Sequence, residues 1–181
     1  ILAYMDEGYR YIRCHMGTYG GNFDGSRQII QKPEGAPEGA YFHPKMYMRS
    51  VVELFDRIRT DIGWELEIMH DVHERLPLAD TLAFAKELEP FKLFFLEDCL
   101  PPDQGSYFKY LREQTCVPLA MGELFTNSVE WKTIIQNQWI DFIRVHLSDI
   151  GGLTPAKKLA AFCEAYGVRT AWHGPNDLSP I

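Results

Sequence analysis

Long apolar runs are missing from this sequence. No stretch reaches the roughly 18 residues that would mark a membrane-spanning helix, so none is expected. Basic residues are outnumbered, 18 against 25 acidic ones, for a formal net charge of −7. That deficit argues against a nucleic-acid binder and against a protein drawn to anionic membranes. Cysteine is sparse: Cys14, Cys99, Cys116 and Cys163 stand far apart, without CxxC spacing. Reduced thiols in a cytoplasmic protein are the expectation. No GxGxxG occurs, so the usual mark of a dinucleotide-binding open sheet is absent. The opening ILAYMDEGYR has neither the basic region nor the cleavage signature of a secretory leader. What remains suffices for a packed core, because 46% of the 181 residues are hydrophobic and 24% charged.

The pattern along the chain alternates. Residues 1–8 read as the last turns of a helix stopped by Gly8, and residues 9–16 (YRYIRCHM) as a strand. Residues 17–43 are glycine-rich and aperiodic, and so long a loop in a compact domain usually serves function. Pro44 suits a first helical turn, and Met48, Val51, Val52, Phe55 and Ile58 then form one helical face. Short apolar strands follow at 66–69, 92–96, 117–121, 141–145 and 168–172. Helices are expected between them at 78–88, 106–114, 128–137 and 155–166. Strand and helix in alternation, with nearly all-apolar strands, predict a parallel sheet covered by helices.

A polar residue closes each strand: Asp71, Glu97, Glu123, His146 and His173. Asp71 to Glu97 is 26 residues, and Glu97 to Glu123 is 26 again. Eight units of about that length make a barrel of roughly 250 residues. A (β/α) barrel of the TIM type is therefore expected, with a doubly wound open sheet as its competitor. In a barrel these strand ends share one mouth, where active sites are built. Acidic residues at loop starts also serve as helix caps. Three of them converging in a low-dielectric pocket could not all stay ionised alone. A hard cation such as Mg²⁺, with its all-oxygen coordination, resolves that conflict. Asp71, Glu97 and Glu123 are the candidate ligands. His73 lies two residues beyond Asp71, so in an extended strand end it faces the same side. A lone histidine is more often structural, but one beside a metal-bound substrate suits acid–base catalysis.

Two further pairs are weaker candidates. Asp177 follows His173 across the turn Gly174–Asn176, where it orients His173, binds a substrate hydroxyl or caps the next helix. Arg13, near the end of the first strand, precedes Tyr19 in the loop, and an adjacent guanidinium favours phenolate. A surface arginine and a loop-packing tyrosine are the ordinary alternative. Of the four tryptophans, Trp64, Trp131 and Trp139 suit core or helix packing, while Trp172 adjoins His173.

The segments HDVH, FFLEDCLPP, PLAMGELF, IGGLT and WHGPNDLSP together resemble the enolase superfamily, specifically its D-mannonate dehydratase subgroup. The resemblance spans essentially the whole chain. It implies a (β/α) barrel preceded by a capping domain, with residues 1–181 as a partial catalytic barrel covering roughly strands 2–7. The capping domain and the eighth strand would lie outside this sequence. It also implies Mg²⁺ held by Asp71, Glu97 and Glu123, with His73 as the general acid that assists loss of a hydroxyl. Arg13 and Tyr19 match the pair whose tyrosine takes the α-proton. His173 and Asp177 match substrate-binding residues, with Trp172 and His146 as further substrate contacts. The implied reaction converts D-mannonate or D-gluconate to 2-keto-3-deoxy-D-gluconate through an enediolate. A homo-oligomer with a small sugar-acid substrate is expected. His146 stands where racemase-like members carry an aspartate, which argues against a racemase. Pro175, after His173–Gly174, goes with weak, gluconate-accepting or silent members. The alternatives are therefore a silent homologue with a regulatory or starvation-response role, and a racemase or cycloisomerase on the same barrel.

Overall fold

The computed structural model describes residues 1–15, 34–35 and 42–174. The chain divides into two compact units, Ile1–Ile68 and Met69–Ile181. Among the described residues no helix is long and apolar enough to cross a membrane.

The first unit holds α1 (Leu2–Asp6), β1 (Tyr11–Arg13), α2 (Pro44–Asp61) and the start of β2 (Glu67–Asp71). The strand expected over 9–16 shortens to β1, where Ile12 is buried between two exposed neighbours. Pro44 opens α2 as expected, and His43 Nδ1 accepts from the Met46 N–H at 3.4 Å to cap it. Met48, Val51, Phe55 and Ile58 form its buried face, as their spacing implies. Val52 falls at the margin of that face. Beyond α2 the buried Arg59 donates to the carbonyls of Gly63 (3.2 Å) and Leu66 (2.8 Å). Trp64 stays exposed and lies against that guanidinium at 4.6 Å, so it packs at the surface rather than in the core. The Glu67 N–H donates to the Arg10 carbonyl at 2.9 Å, which brings the start of β2 beside the entry to β1.

The second unit carries the alternation. After β2 come α3 (Leu78–Leu88), β3 (Phe95–Glu97), α4 (Phe108–Gln114), β4 (Leu119–Met121), α5 (Ser128–Gln136), β5 (Phe142–Ile143), α6 (Leu153–Tyr166) and β6 (Arg169–Thr170). Neighbouring strands from β2 to β6 pair in parallel and in chain order. β2 runs on past the expected 66–69 to Asp71, whereas β3 to β6 are shorter than their apolar runs. Lys92 turns into the left-handed region (φ 49°), so β3 starts three residues later than the run does. Asp141 spends its carboxylate on the Leu119 N–H (2.7 Å) instead of opening β5. The helix expected over 106–114 begins as a 3-10 turn, Pro102–Tyr107, because prolines 101 and 102 set the entry. A capping box starts α5: the Asn127 side chain accepts from the Val129 N–H, and Glu130 reaches back to the Asn127 N–H.

Phe95, Ala120 and Phe142 form a buried cluster between successive strands, with Met69, Phe94 and Ala171 packed on it. The three phenylalanine rings lie 4.9–5.5 Å apart in tilted pairs, within the preferred range for aromatic contacts. In the paired register Met69 faces Phe95 and Asp71 faces Glu97, so this apolar layer lies one step below the carboxylates.

Candidate functional site

Because β2 to β6 run parallel, their C-terminal ends collect on one edge of the sheet. Asp71 ends β2 and Glu97 ends β3, and the two are register partners. Glu123 stands two residues past β4, Arg144 and His146 follow β5, and His173 follows β6. The equal spacing of 26 residues does not hold in the sheet itself. Glu97 pairs with Ala120, so Glu123 lies three residues further along than Glu97. Its place is set by Gly122, which adopts φ +142°; a Cβ there would lie 3.1 Å from the Arg144 carbonyl carbon. Only glycine fits so close a turn.

Asp71 and Glu97 are buried, and Glu123 is partly so. The side chains around them supply positive charge. Arg144 Nε makes a short contact with Glu97 Oε1, and its Nη1 donates to the Ala171 carbonyl at 3.1 Å. The same guanidinium lies over the Phe95 ring, 5.4 Å from its centroid. His173 Nε2 stands 3.0 Å from Glu123 Oε2 and 3.9 Å from Glu97 Oε1. That imidazole outweighs burial and draws the Glu123 carboxyl below its ordinary range. His146 and His173 pair as an isolated parallel bridge, with ring centroids 4.2 Å apart. Burial, and then the charge of His173, lower the His146 pKa.

His73 meets Asp71, with Nε2 2.9 Å from Asp71 Oδ2, but not for the reason strand alternation suggests. His73 and Glu74 have left-handed backbone (φ 53° and 50°), so the chain is no longer extended there. The His73 N–H donates to Asp71 Oδ1 at 2.9 Å, a turn closed by the aspartate itself. Burial alone would lower the His73 pKa. The Asp71 hydrogen bond and charge overcome it and raise the imidazole above its usual value.

Three further groups were not singled out by sequence reasoning. Arg144 is one, hidden as a single charge in the run DFIRVH. Asp98, directly after Glu97, is 1% exposed, and Glu74 is half-buried. Burial, reinforced by the Glu97 charge, pushes the Asp98 carboxyl well up. Burial, then Glu123 and Asp71, pushes Glu74 up to about 7. A charged residue at the end of an apolar strand is the signal that could have found Arg144 and Asp98.

These carboxylates repel one another, and a divalent cation would relieve that. Among the described residues three groups bring one ligand atom each within 4.8 Å of one another. They are Asp71–His73–Glu123, Glu74–Asp98–Glu123 and Glu123–His146–His173. Glu123 is common to all three, and Glu97, held by Arg144, is in none. The oxygen-rich donor set, with the buried Asp98 Oδ2 lacking a hydrogen-bond partner, fits a hard cation. Trp172 and His173 are half-buried beside this cluster in sequence, and Arg13 is the exposed last residue of β1. Tyr19, Asp177 and Pro175 lie outside the described residues, as does most of the loop over 17–43.

The profile of the enolase C-terminal domain-like family matches residues 2–181. The chain belongs to that family. Its fold is accordingly part of the enolase-type (β/α) barrel that the strand–helix alternation predicts. A D-galactonate dehydratase family member from Enterocloster bolteae is 81% identical over 181 residues, all of this chain but 45% of that protein. A further D-galactonate dehydratase family member, RspA of Pantoea ananatis, is 48% identical over 99% of this chain and 46% of its own length. The crystal structure of an enolase from Pantoea ananatis with bound D-gluconate and Mg superposes with a TM-score of 0.88 at 47% identity. It is matched over 96% of this chain and 45% of that one. The chain thus spans under half the length of these enolase-family relatives.

Proposed function

We propose that this chain is part of the catalytic barrel of a Mg²⁺-dependent sugar-acid dehydratase. The observation that carries the reading is the meeting of Asp71, His73 and Glu123 at the sheet's C-terminal edge, with Glu97 as the register partner of Asp71. The dehydratase-family names of the relatives, and the D-gluconate and Mg in a structure 47% identical, support it.

Asp71, Glu97 and Glu123 would hold the metal. When bound, Mg²⁺ supplies positive charge beside the substrate carboxylate, where negative charge grows as the α-proton leaves. Removing the C2 proton gives an enediolate, and its collapse expels the C3 hydroxyl. His73, held by Asp71, would donate the proton with which that hydroxyl departs as water. Tyr19, which together with Arg13 resembles the family's Arg–Tyr pair, is the proposed base. The enol that remains rearranges to the 2-keto-3-deoxy acid. Arg144, His146, His173, Trp172 and Asp177 would bind and orient the hydroxylated, anionic substrate, with the Arg144 guanidinium as the fixed cation.

D-gluconate and D-mannonate are the proposed substrates, converging on one product because loss of the C2 proton erases the centre at which they differ. Pro175, in the motif that goes with weak or silent members, favours a second reading in which turnover is low and the role regulatory. A panel of C5 and C6 sugar acids, assayed for 2-keto acid with Mg²⁺ and with chelator, separates these. Product formation that stops with chelator and in His73→Asn supports the dehydratase. Metal binding with no product on any hexonate supports the silent homologue, and substrate epimerised at C2 without keto acid overturns both.

A further inference from the structure

Asp98, directly after β3, is hydrogen-bonded to the ends of both neighbouring strands, β2 and β4. Its N–H donates to the Ala120 carbonyl at 3.0 Å, and its carbonyl accepts from the Glu74 N–H at 2.9 Å. Its side-chain Oδ1 accepts from the Gly122 N–H at 2.9 Å, wholly out of solvent. Asp98 itself takes φ +40°, the left-handed region that aspartate tolerates better than most non-glycine residues. On its far side Gly122 is pressed against the backbone of Arg144, whose N–H donates to the Met121 carbonyl at 2.8 Å. The Met121–Gly122 peptide, one residue short of Glu123, is therefore clamped from both neighbouring strands.

We propose that Asp98 is a positioning residue for the metal site: its hydrogen bond to Gly122 fixes the turn that delivers Glu123 to the cluster. The inference rests on the reading of Asp71, Glu97 and Glu123 as metal ligands. Glu123 needs such a device more than the other two do. Asp71 and Glu97 lie within paired strands, whereas Glu123 lies two residues beyond the last residue of β4. The turn that carries it is closed by the Phe125 N–H on the Gly122 carbonyl at 3.0 Å, and the Asp98 side chain ties that turn to the end of β3. Second-layer contacts of this kind commonly set metal affinity by aligning a ligand before the ion arrives.

The test is Mn²⁺ binding to the intact protein, stripped with chelator and read by electron paramagnetic resonance. Asp98→Ala removes the acceptor and should weaken Mn²⁺ binding about 10- to 100-fold. Asp98→Asn keeps an oxygen for the Gly122 amide, so its affinity should stay within about threefold of wild type. Asp98→Leu fills similar space without an acceptor, and replaces the alanine variant should that one not fold. Wild-type affinity in Asp98→Ala or Asp98→Leu overturns the proposal. So does an equal loss in Asp98→Asn, which would mean that the carboxylate acts by charge or direct ligation. Failure of the wild type to bind Mn²⁺, or unchanged binding in Glu123→Gln, would instead overturn the metal-site reading beneath it. Hydrogen exchange at the Gly122 amide then still examines the clasp: protection must fall in Asp98→Ala and persist in Asp98→Asn.

Discussion

His173 Nε2 stands 3.0 Å from Glu123 Oε2, joining the extension of β6 to that of β4. The same nitrogen is 3.9 Å from Glu97 Oε1, so one imidazole faces two of the three proposed metal ligands. On the proposed reading, a group so placed would hold substrate and carboxylate in one frame. His173→Leu removes it without adding charge. Losing a hydrogen bond to a charged partner costs about 1.5–3 kcal/mol. Steady-state kinetics on the best sugar acid should show kcat/KM down by roughly ten- to hundredfold. Wild-type kcat/KM would remove His173 from the substrate contacts.

Metal loading should stabilise the intact protein. The cluster places Asp71, Glu74, Glu97, Asp98 and Glu123 together, and burial first, then the neighbouring negative charges, push the Glu74 and Asp98 carboxyls upward. A cation that binds only the folded state adds about 2.7 kcal/mol at a hundredfold excess over its Kd. Thermal melts with Mg²⁺ should therefore lie above melts with chelator. Glu123→Gln, which removes the one residue common to all three ligand groupings, should abolish the difference. Identical wild-type melts in both buffers would count against the metal.

Much of this site is readable from one sequence, and its omissions share a cause. Apolar runs of a few residues alternating with helical periods specify a parallel sheet, and parallel strands put all their C-terminal residues on one edge. Hence the alternation alone assigns Asp71, Glu97 and His173 to that edge. The spacing of 26 residues matches the register from Asp71 to Glu97 but not on to Glu123, because Glu97 pairs with Ala120 and the chain turns at Gly122 before reaching Glu123. His73 reached Asp71 through a turn rather than by strand alternation. Arg144 and Asp98 escaped because their importance lies in partners 47 and 24 residues away, and pairings at that range leave no local pattern.

The four thiols should divide sharply. Cys14, Cys99 and Cys163 are buried, while Cys116 is exposed. Burial pushes the Cys14 thiol up to about 11 and Cys163 up to about 12, and Cys99 is raised as well. Thiolate is the nucleophile, so the raised thiols stay protonated and unreactive near pH 8. Brief iodoacetamide treatment followed by peptide mapping should label Cys116 alone, and all four after unfolding. Native labelling of Cys163 would contradict its packing within α6.

Gly122→Ala tests the turn itself. A Cβ at that position meets the Arg144 backbone at 3.1–3.2 Å, and φ +142° is strained for any L side chain. Backbone strain of this sort costs of order 1–3 kcal/mol. Either the variant keeps the turn and loses that much stability, or β4 and β5 separate and Glu123 moves with them. Denaturant unfolding reads the first result, and Mn²⁺ affinity reads the second. In both cases the Gly122 N–H that Asp98 holds is disturbed, so Gly122→Ala combined with Asp98→Ala should cost less than the sum of the two single changes. Full additivity would show that the two residues act independently, and that the turn is not what Asp98 secures.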